Sequence, residues 1–377
     1  TYRQWRAGYQ RNWRWAFDPI AITFGAGPGR LSTDMPVMPL LASTEYRTLI
    51  DLARGVSLSP TAGDPHDTIA HAILAINPES PTLKLGNTQV RSFMPLIEKD
   101  PLGWLGGSVS LYADPDNFWT ELSNAATPSE FLQKESHRLP VALRAEVSSA
   151  LKLTVFLTGL RAFIDAAAPG MTVWETRTHN DQPYVRIALT DKAKQGGMGA
   201  EFDKISIFYL PSPKALVISL NEDLIKRSID REKTPPVEAG PQSNTWLGSS
   251  LAGRFSKSGL DLLNNQLTGS RNSLQRAAWS NIPILNEWKR RYPDADPVAL
   301  HEARWGSRLV DPASGKYVWN DEFKTMESTT YGHPGQPKAG PDRISTTTGL
   351  TSMNTGVTFE ANGLRAKAVI ERDTANR

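Results

Sequence analysis

Apolar and polar residues alternate with a period of two through much of the middle of the chain. Between residues 171 and 231, the segments TVWETR and YVRIALT flank the turn-rich HNDQP, and ISIFYL and ALVISL flank PSPK. Alternation that is interrupted by such turn residues is typical of antiparallel hairpins. Asn221 follows the second hairpin as an N-cap and predicts a helix that continues to Arg231. This region therefore predicts two hairpins and a helix.

Similar patterns occur elsewhere in the chain. Residues 19–40 predict a hairpin with a glycine-rich loop, and residues 66–76 and 104–112 predict two further strands. Apolar residues spaced by three and four predict a long helix between residues 140 and 168. The same spacing, interrupted by glycine, predicts a helix from 246 to 278.

Aspartate followed by proline predicts where two helices begin. Asp114 and Pro115 fit an N-cap followed by proline at the first helical position, and so do Asp296 and Pro297. Residues 114–117 also have the acidic spacing of a calcium loop, but the glycine and the distal glutamate of such a loop are absent. Helix capping explains the first pair better.

Together these elements predict an α+β protein with antiparallel sheets that are built from hairpin-plus-helix units. We expect an α+β domain over 1–233, in which 1–112 and 171–231 can be a duplication. The Pro- and Gly-rich stretch 234–243 predicts a linker. Residues 244–377 predict an irregular, helical and loop-rich C-terminal part with hairpins at its end.

The composition of the chain excludes several kinds of site and argues against one class of partner. The 377 residues include 11 tryptophans and no cysteine, so disulfides, thiolate metal sites and thiol nucleophiles are excluded. A net charge of +3 argues against a nucleic-acid binder that depends on phosphate contacts. No run approaches the roughly 18–20 apolar residues of a membrane-spanning helix. The compartment stays open on composition alone.

No motif for a metal, a cofactor or a catalytic nucleophile emerges. His66 and His71 are five residues apart, which suits neither one face of a strand nor the ideal spacing on a helix. A turn that leads into a strand explains them better than a metal site. His301 and Glu302 begin like a zinc-protease helix, but the second histidine is absent. We therefore expect neither a metal nor a cofactor.

The tryptophans suggest a binding surface, because aromatic rings can stack on sugars. The candidates for exposed rings are Trp104, Trp119, Trp174, Trp246, Trp279 and Trp319, of which the first four are the predicted binding residues. Most tryptophans in proteins are buried in cores or interfaces, and that alternative explains them as well. A pair of Asp or Glu residues for glycoside hydrolysis stays open, since sequence spacing does not constrain it.

The first residues combine aromatic and basic side chains. Tyr2, Trp5, Tyr9 and Trp13 are spaced by three and four and form one stripe of a predicted helix. Such a stripe can lie on a membrane surface or against a partner. It can equally pack on the core of the protein.

Several segments resemble the C-terminal part of large, uncharacterised bacterial envelope proteins and a bacterial domain family of unknown function. They are YQRNWRWAFDPIAI, WLGGSVSLYADPDNFW, LPVALRAEVSSALKLTVFLTGLRAF, ALVISLNEDLIKRSIDR and NGLRAKAVIER. The resemblance implies export to the periplasm or the cell surface, and it carries no catalytic motif. We therefore expect a non-catalytic binding or scaffolding module whose partners are other envelope proteins or cell-wall polysaccharide. The alternative is a hydrolase that acts on polysaccharide or peptidoglycan through an Asp/Glu pair.

A second resemblance covers DPASGKYVWN and ESTTYGHPG, which are similar to a hairpin of secreted pilin-like modules. In those modules a Cys-Pro pair opens the hairpin and a second Cys closes it before a His-Gly pair. Asp311 stands at the first Cys position here, Ser314 replaces a glycine, and no Cys occurs near Glu327. The resemblance implies that packing of Tyr317 and Trp319 holds the hairpin instead of a disulfide.

Overall fold

A computed structural model of the chain describes residues 3–4, 20–38, 47–93, 100–125, 127–195, 204–233, 246–267, 271–341, 350–360 and 363–373. The chain divides into two compact units. The first comprises Thr1–Leu260 and Gly349–Arg377, and the second comprises Asp261–Thr348. The predicted linker 234–243 lies outside the described residues, and the predicted domain bounds and the duplication stay predictions.

The described strands and helices are numbered in chain order. The strands are β1 (Thr23–Gly27), β2 (Arg30–Val37), β3 (Ala70–Ala75), β4 (Leu105–Ala113), β5 (Val141–Val147), β6 (Thr172–His179), β7 (Gln182–Leu189), β8 (Ser206–Pro211), β9 (Ala215–Ser219), β10 (Leu251–Ser256), β11 (Tyr317–Asn320), β12 (Thr325–Ser328), β13 (Gly332–His333), β14 (Gln336–Pro337), β15 (Leu350–Glu360) and β16 (Gly363–Arg372). The helices are α1 (Arg47–Ala53), α2 (Pro81–Phe93), α3 (Asn117–Asn124), α4 (Pro128–Glu135), α5 (Ala150–Ala167), α6 (Asp191–Gln195), α7 (Glu222–Lys233), α8 (Lys257–Leu267), α9 (Arg271–Ser280), α10 (Ile282–Arg291) and α11 (Pro297–Trp305).

Twelve of these strands form one sheet in the first unit, in the order β1-β2-β16-β15-β10-β3-β4-β5-β9-β8-β7-β6. All of the strand pairs that the structure describes are antiparallel. The predicted hairpins β6–β7 and β8–β9 are confirmed. The α+β class that we predicted from the sequence is also confirmed.

Helices cover both faces of the half of the sheet that runs from β4 to β6. Alternate residues of β9 show this: Ala215 and Val217 pack in a cluster with α7, whereas Leu216 packs in a cluster with Leu153 of α5. The α7 helix begins as predicted, because the Asn221 side chain accepts hydrogen bonds from two backbone amides of its first turn. We call this region, β4 to β6 in sheet order, the covered half.

The other half, from β1 to β3 in sheet order, has one face without a helix among the described residues. This open face is lined by small residues such as Ala72, Gly253 and Ala368 and forms an apolar groove of about 520 Å³. Phe24 at its edge is 76% exposed. Ala72 of β3 pairs with Leu111 of β4, so both side chains lie on this face of the sheet, and Leu111 is also exposed. Beyond β4, the same face continues to the strands that α5 covers. The opposite face packs against Trp246.

The helix predicted over 140–168 is wrong in its first part. Val141–Val147 forms β5, which pairs with β4 and β9, and the helix begins only after it. Ser149 caps α5 by accepting a hydrogen bond from the Lys152 amide at 3.4 Å. The apolar residues of the first part fit a four-residue spacing and a two-residue alternation equally well. Pairing with two neighbouring strands decides in favour of the strand.

The helix predicted from 246 to 278 is wrong over Leu251–Ser256, which forms β10 between β15 and β3. A side chain at Gly253 would meet the Thr355 hydroxyl of β15 at 2.9 Å, so glycine permits the close approach of the two strands. The glycines of this segment indicate strand packing and not interruptions of a helix. Helical structure follows from Lys257.

The helix predicted to begin at Asp114 begins two residues later. Asp116 is the N-cap of α3, and its carboxylate accepts a hydrogen bond from the Phe118 amide at 3.0 Å. Asp114 is buried and contacts His66 and Arg231 instead. The second predicted cap is confirmed, because Asp296 caps α11.

In the second unit, α9 to α11 and the four-stranded sheet β11-β12-β13-β14 share a core. Tyr317 and Trp319 pack against a cluster that includes Leu285 and Met326. Asp311 has a hydrogen bond from the Ser328 hydroxyl at 2.5 Å, and both side chains are buried. This polar contact joins the segment before β11 to the end of β12.

Candidate functional site

The four predicted binding tryptophans lie at separate places in the first unit. Trp104 is 6% exposed and packs on Phe156 of α5, with ring centroids 5.5 Å apart. Trp246 is 7% exposed and meets the ring of His71 edge to face at 5.0 Å. Burial of this kind identifies both as parts of the core of the described structure. A contact of either ring with a ligand stays a prediction.

The other two predicted tryptophans are half-buried. Trp119 of α3 donates a hydrogen bond from its indole N–H to the Asp114 carbonyl oxygen at 2.9 Å. Trp174 of β6 packs near Tyr209, and the Arg161 guanidinium lies 5.6 Å from its ring centroid. Neither ring lines the apolar groove of the open face or the two other cavities, of about 520 and 530 Å³. Tyr2, Trp5, Tyr9 and Trp13 lie outside the described residues.

The histidines that the sequence analysis rejected as metal ligands belong to a buried polar cluster beside α7. The His66 Nε2 atom lies 2.9 Å from an Asp114 carboxylate oxygen, and Arg231 of α7 lies between Asp114 and Asp64. Burial would raise the pKa of Asp114, but the hydrogen bond from His66 and the charges of Arg231 and Arg227 outweigh it and lower the pKa. The cluster ties α7 to the loop before β3 and to the end of β4.

Two further side chains of this cluster are shielded from water. Burial raises the pKa of Tyr112 to about 12 and lowers the pKa of His71 to about 3. Both groups are therefore neutral at neutral pH. Among the described residues, no group of three or more His, Asp or Glu side chains could hold a metal ion. The geometry indicates a structural network that fixes α7.

A polar cavity of about 520 Å³ lies at the start of α7, where Glu222 and Asp223 line it, and we call it the arginine cavity. The Arg177 Nη1 group donates to both carboxylate oxygens of Glu222, at 2.9 and 3.0 Å, and the Tyr184 hydroxyl donates to the same carboxylate at 2.6 Å. Burial would raise the pKa of Glu222, but these hydrogen bonds and charges outweigh it and lower the pKa. Glu222 is therefore held as a carboxylate.

The second unit has a different cavity of about 530 Å³ between α10 and α11, which we call the aromatic cavity. Its lining is mostly aromatic and apolar, with one carboxylate and one guanidinium: Pro283, Ile284, Glu287, Trp288, Arg291, His301 and Trp305. The sequence fixes both helices locally. Pro283 stands in the first turn of α10, and Gly306 ends α11 in the left-handed conformation (φ 63°).

A hydrogen bond joins two of the three rings of the aromatic cavity, those of Trp288 and His301. The Trp288 indole N–H donates to His301 Nδ1 at 3.0 Å, so the His301 proton lies on Nε2. The rings of His301 and Trp305 are stacked, with centroids 6.4 Å apart and an interplanar angle of 28°. Trp305 is nevertheless 71% exposed. An exposed tryptophan whose neighbours are ordered is a ready surface for a ligand.

Charged groups surround these rings. Glu287 accepts hydrogen bonds from Arg290 and Arg291, and these two hydrogen bonds lower its pKa. The Arg304 guanidinium lies 5.8 Å from the Trp288 ring centroid. The cavity therefore presents apolar ring faces beside polar groups that can bond to hydroxyls.

Trp288 and Trp305, which line the aromatic cavity, are not among the binding residues that we predicted from the sequence. The available signal was the spacing of four between His301 and Trp305, which places both side chains on one face of a helix. The motif HEARW was tested only as a zinc site, for which its second histidine is absent. Its aromatic residue is the feature that the structure brings into the cavity.

The chain matches no protein-family model, no curated protein and no solved structure. The envelope resemblance therefore stays a prediction. Among the described residues, no helix has the length and apolar character that crossing a membrane requires.

Proposed function

We propose that this protein is a non-catalytic binding module of the bacterial envelope and that the aromatic cavity takes a saccharide of the cell wall. The observation that carries the proposal is the exposed ring of Trp305 beside the fixed rings of Trp288 and His301. The C–H face of a sugar ring is apolar and weakly positive, which suits the negative face of an aromatic ring. Glu287 and Arg291 lie beside it to bond with sugar hydroxyls.

The size of the cavity supports a small, ring-shaped ligand. A cavity of about 530 Å³ falls within the range of small-molecule sites. A concave site of this kind suits a short saccharide better than the flat surface of a membrane. The exported location remains an expectation from the resemblance.

The alternative hydrolase would need a second carboxylate and an acid with a raised pKa. Glu287 is the one carboxylate among the described residues that line the aromatic cavity. Its two arginine partners lower its pKa, so it is poorly suited to donate a proton to a leaving group. These features favour binding over hydrolysis.

The test uses purified peptidoglycan sacculi and a soluble N-acetylglucosamine tetramer as probes. The wild-type protein should sediment with the sacculi and bind the tetramer. Trp305→Ala should weaken binding by roughly 5–30-fold, the equivalent of about 1–2 kcal/mol of lost stacking. Reducing ends should not accumulate during the incubation.

Phe323→Ala is the matched control, because Phe323 is a 45% exposed aromatic residue of the same unit outside the cavity. It should bind as the wild type does. Equal binding by Trp305→Ala and the wild type would refute the proposal, as would the absence of binding to both probes. Release of reducing ends would favour the hydrolase instead.

A further inference from the structure

The arginine cavity of the first unit collects positive side chains from four separate segments. Arg138 follows α4, Arg177 lies on β6, Arg186 lies on β7, and Lys204 precedes β8. Arg177 and Arg186 lie on the paired strands β6 and β7 at one end of the sheet, so the backbone pairing positions them, and Lys204 stands two residues before β8. A convergence of this kind is a recognised basis for binding an anion.

Carboxylates behind the cavity orient these guanidinium groups. Glu175 accepts hydrogen bonds from Arg177 at 3.0 Å and from Arg186 at 3.1 Å. Glu121 accepts from both terminal nitrogens of Arg138, at 2.9 and 3.0 Å. Neither of these glutamates lines the cavity. Arg138 and Arg186 are therefore bonded to carboxylates outside the space that a ligand would occupy, whereas Arg177 also bonds to Glu222, which lines the cavity.

Donors remain available towards the cavity. Arg186 uses its Nε–H towards Ser206 and an Nη1 hydrogen towards Glu175, which leaves the Nη2 group of the guanidinium without a described partner. Lys204 forms no ion pair or hydrogen bond within the described residues. Lys204 and Arg186 can thus contribute to a ligand without giving up an existing contact.

The same cavity also contains carboxylates, and they restrict the kind of anion. Asp116, Glu222 and Asp223 line it beside the cations. A phosphate, with a charge close to −2, would lie near three negative groups, whereas a single carboxylate would be repelled less. Ligand hydroxyls, on the other hand, can donate to these carboxylates. The lining therefore suits a singly charged ligand that is rich in hydroxyls.

We propose that the arginine cavity is a second binding site that takes a carboxylate-bearing sugar, with the sugar carboxylate between Arg186 and Lys204 and its hydroxyls towards Glu222 and Asp223. The site belongs to the first unit, and it does not depend on the aromatic cavity of the second unit. A chain with both sites would bind two kinds of sugar unit in a polysaccharide, a neutral one and an acidic one.

Calorimetric titration with D-galacturonic acid, D-galactose and inorganic phosphate tests this site. The wild type should bind the galacturonate better than galactose or phosphate. Lys204→Gln and Arg186→Gln should each weaken galacturonate binding by roughly tenfold or more, since each removes a charged hydrogen bond. Lys214→Gln, at an exposed lysine of the same unit outside the cavity, should bind as the wild type does.

Thermal unfolding of each variant shows whether it folds. If Arg186→Gln does not fold, Lys204→Gln still tests the site. Trp305→Ala should leave galacturonate binding unchanged, so the two proposed sites can fail separately. Tighter binding of phosphate or galactose than of galacturonate would overturn the inference. Unchanged binding by Lys204→Gln, or a loss with Trp305→Ala, would overturn it as well.

Discussion

The two halves of the large sheet have the same antiparallel pairing, but they differ in whether described helices cover both of their faces. In the covered half, Leu210 and Val217 are nearly inaccessible under α7. On the open face, small residues such as Ala72 and Gly253 lie beside larger apolar ones such as Phe255, and no described helix lies over them. Pairing with neighbouring strands supplies backbone hydrogen bonds in both halves.

The difference shows which interactions stabilise which half. Backbone hydrogen bonds contribute similarly wherever strands pair, whereas burial of apolar area contributes about 25 cal/mol per Å² and differs between the halves. The open half nevertheless has one buried face, where Trp246 covers Ile73 and Ala252. We therefore expect large effects of substitution in the covered half, intermediate effects on the buried face of the open half, and small effects on its open face.

The largest expected effect comes from matched valines in the two halves. Val217 on β9 is 1% exposed under α7, whereas Val357 on β15 is half-buried and lines the open groove. Val217→Ala should lower the free energy of unfolding by roughly 2 kcal/mol, since two methyl groups are lost and a cavity remains. Val357→Ala should cost less than about 1 kcal/mol. Urea unfolding measures both.

The contrast within this pair is the informative result, because both substitutions remove the same atoms from a strand. Equal losses for Val217→Ala and Val357→Ala would mean that the open face is covered in solution. The division into a covered and an open half would then be wrong.

The next largest expected effect is a dependence of the free energy of unfolding on pH, caused by a histidine on the buried face of the open half. His71 on β3 is 3% exposed, and burial lowers its pKa to about 3 in the folded protein. Its pKa in the unfolded chain is about 6.5, so between these values the unfolded state binds a proton that the folded state does not. The free energy of unfolding should therefore be highest above pH 6.5 and should fall as the pH drops towards 3.

A difference of one bound proton between the unfolded and the folded state changes the free energy of unfolding by about 1.4 kcal/mol per pH unit between the two pKa values. Urea unfolding between about pH 5 and pH 6.5 measures this slope above the range in which carboxylates titrate. His71→Phe keeps a ring at this position and should flatten the slope, whereas His137→Gln should retain it. A slope that persists in His71→Phe would show that another group causes it.

Local patterns in the sequence predicted the hairpins and the α+β class but not the boundaries between strand and helix. β5 and β10 were assigned to helices because their apolar spacing fits both periods, and only pairing with strands far away in the chain resolves the choice. Asp114 fits an N-cap as well as Asp116 does. What separates them is the contact of Asp114 with Arg231, which is 117 residues away.

The candidate sites were harder to predict than the fold. Trp246 and Trp305 are the same residue type, yet one is 7% and the other 71% exposed, and the residues next to them in sequence do not reveal which. The arginine cavity draws on residues from 116 to 223, so no local motif marks it. The aromatic cavity lies between two consecutive helices, so it depends on how these helices pack, whereas the arginine cavity depends on contacts between distant segments.

The smallest effect on stability is expected at the edge of the open face. Phe24 on β1 is 76% exposed, so Phe24→Ser removes little buried area and should change the free energy of unfolding by less than about 0.5 kcal/mol. The same substitution removes a large apolar side chain from the groove. Fluorescence of a dye that binds exposed apolar surface should therefore decrease in the variant.

A small stability change together with weaker dye binding is what an open face requires, because Phe24 would then contact water in both the folded and the unfolded state. Thr23→Ser is the control on the same strand, and it should alter neither measurement. A loss of stability at Phe24 that approaches the loss at Val217 would contradict this, since a side chain in water cannot contribute a buried residue's energy. It would show that Phe24 is covered in solution by residues or copies outside the described structure.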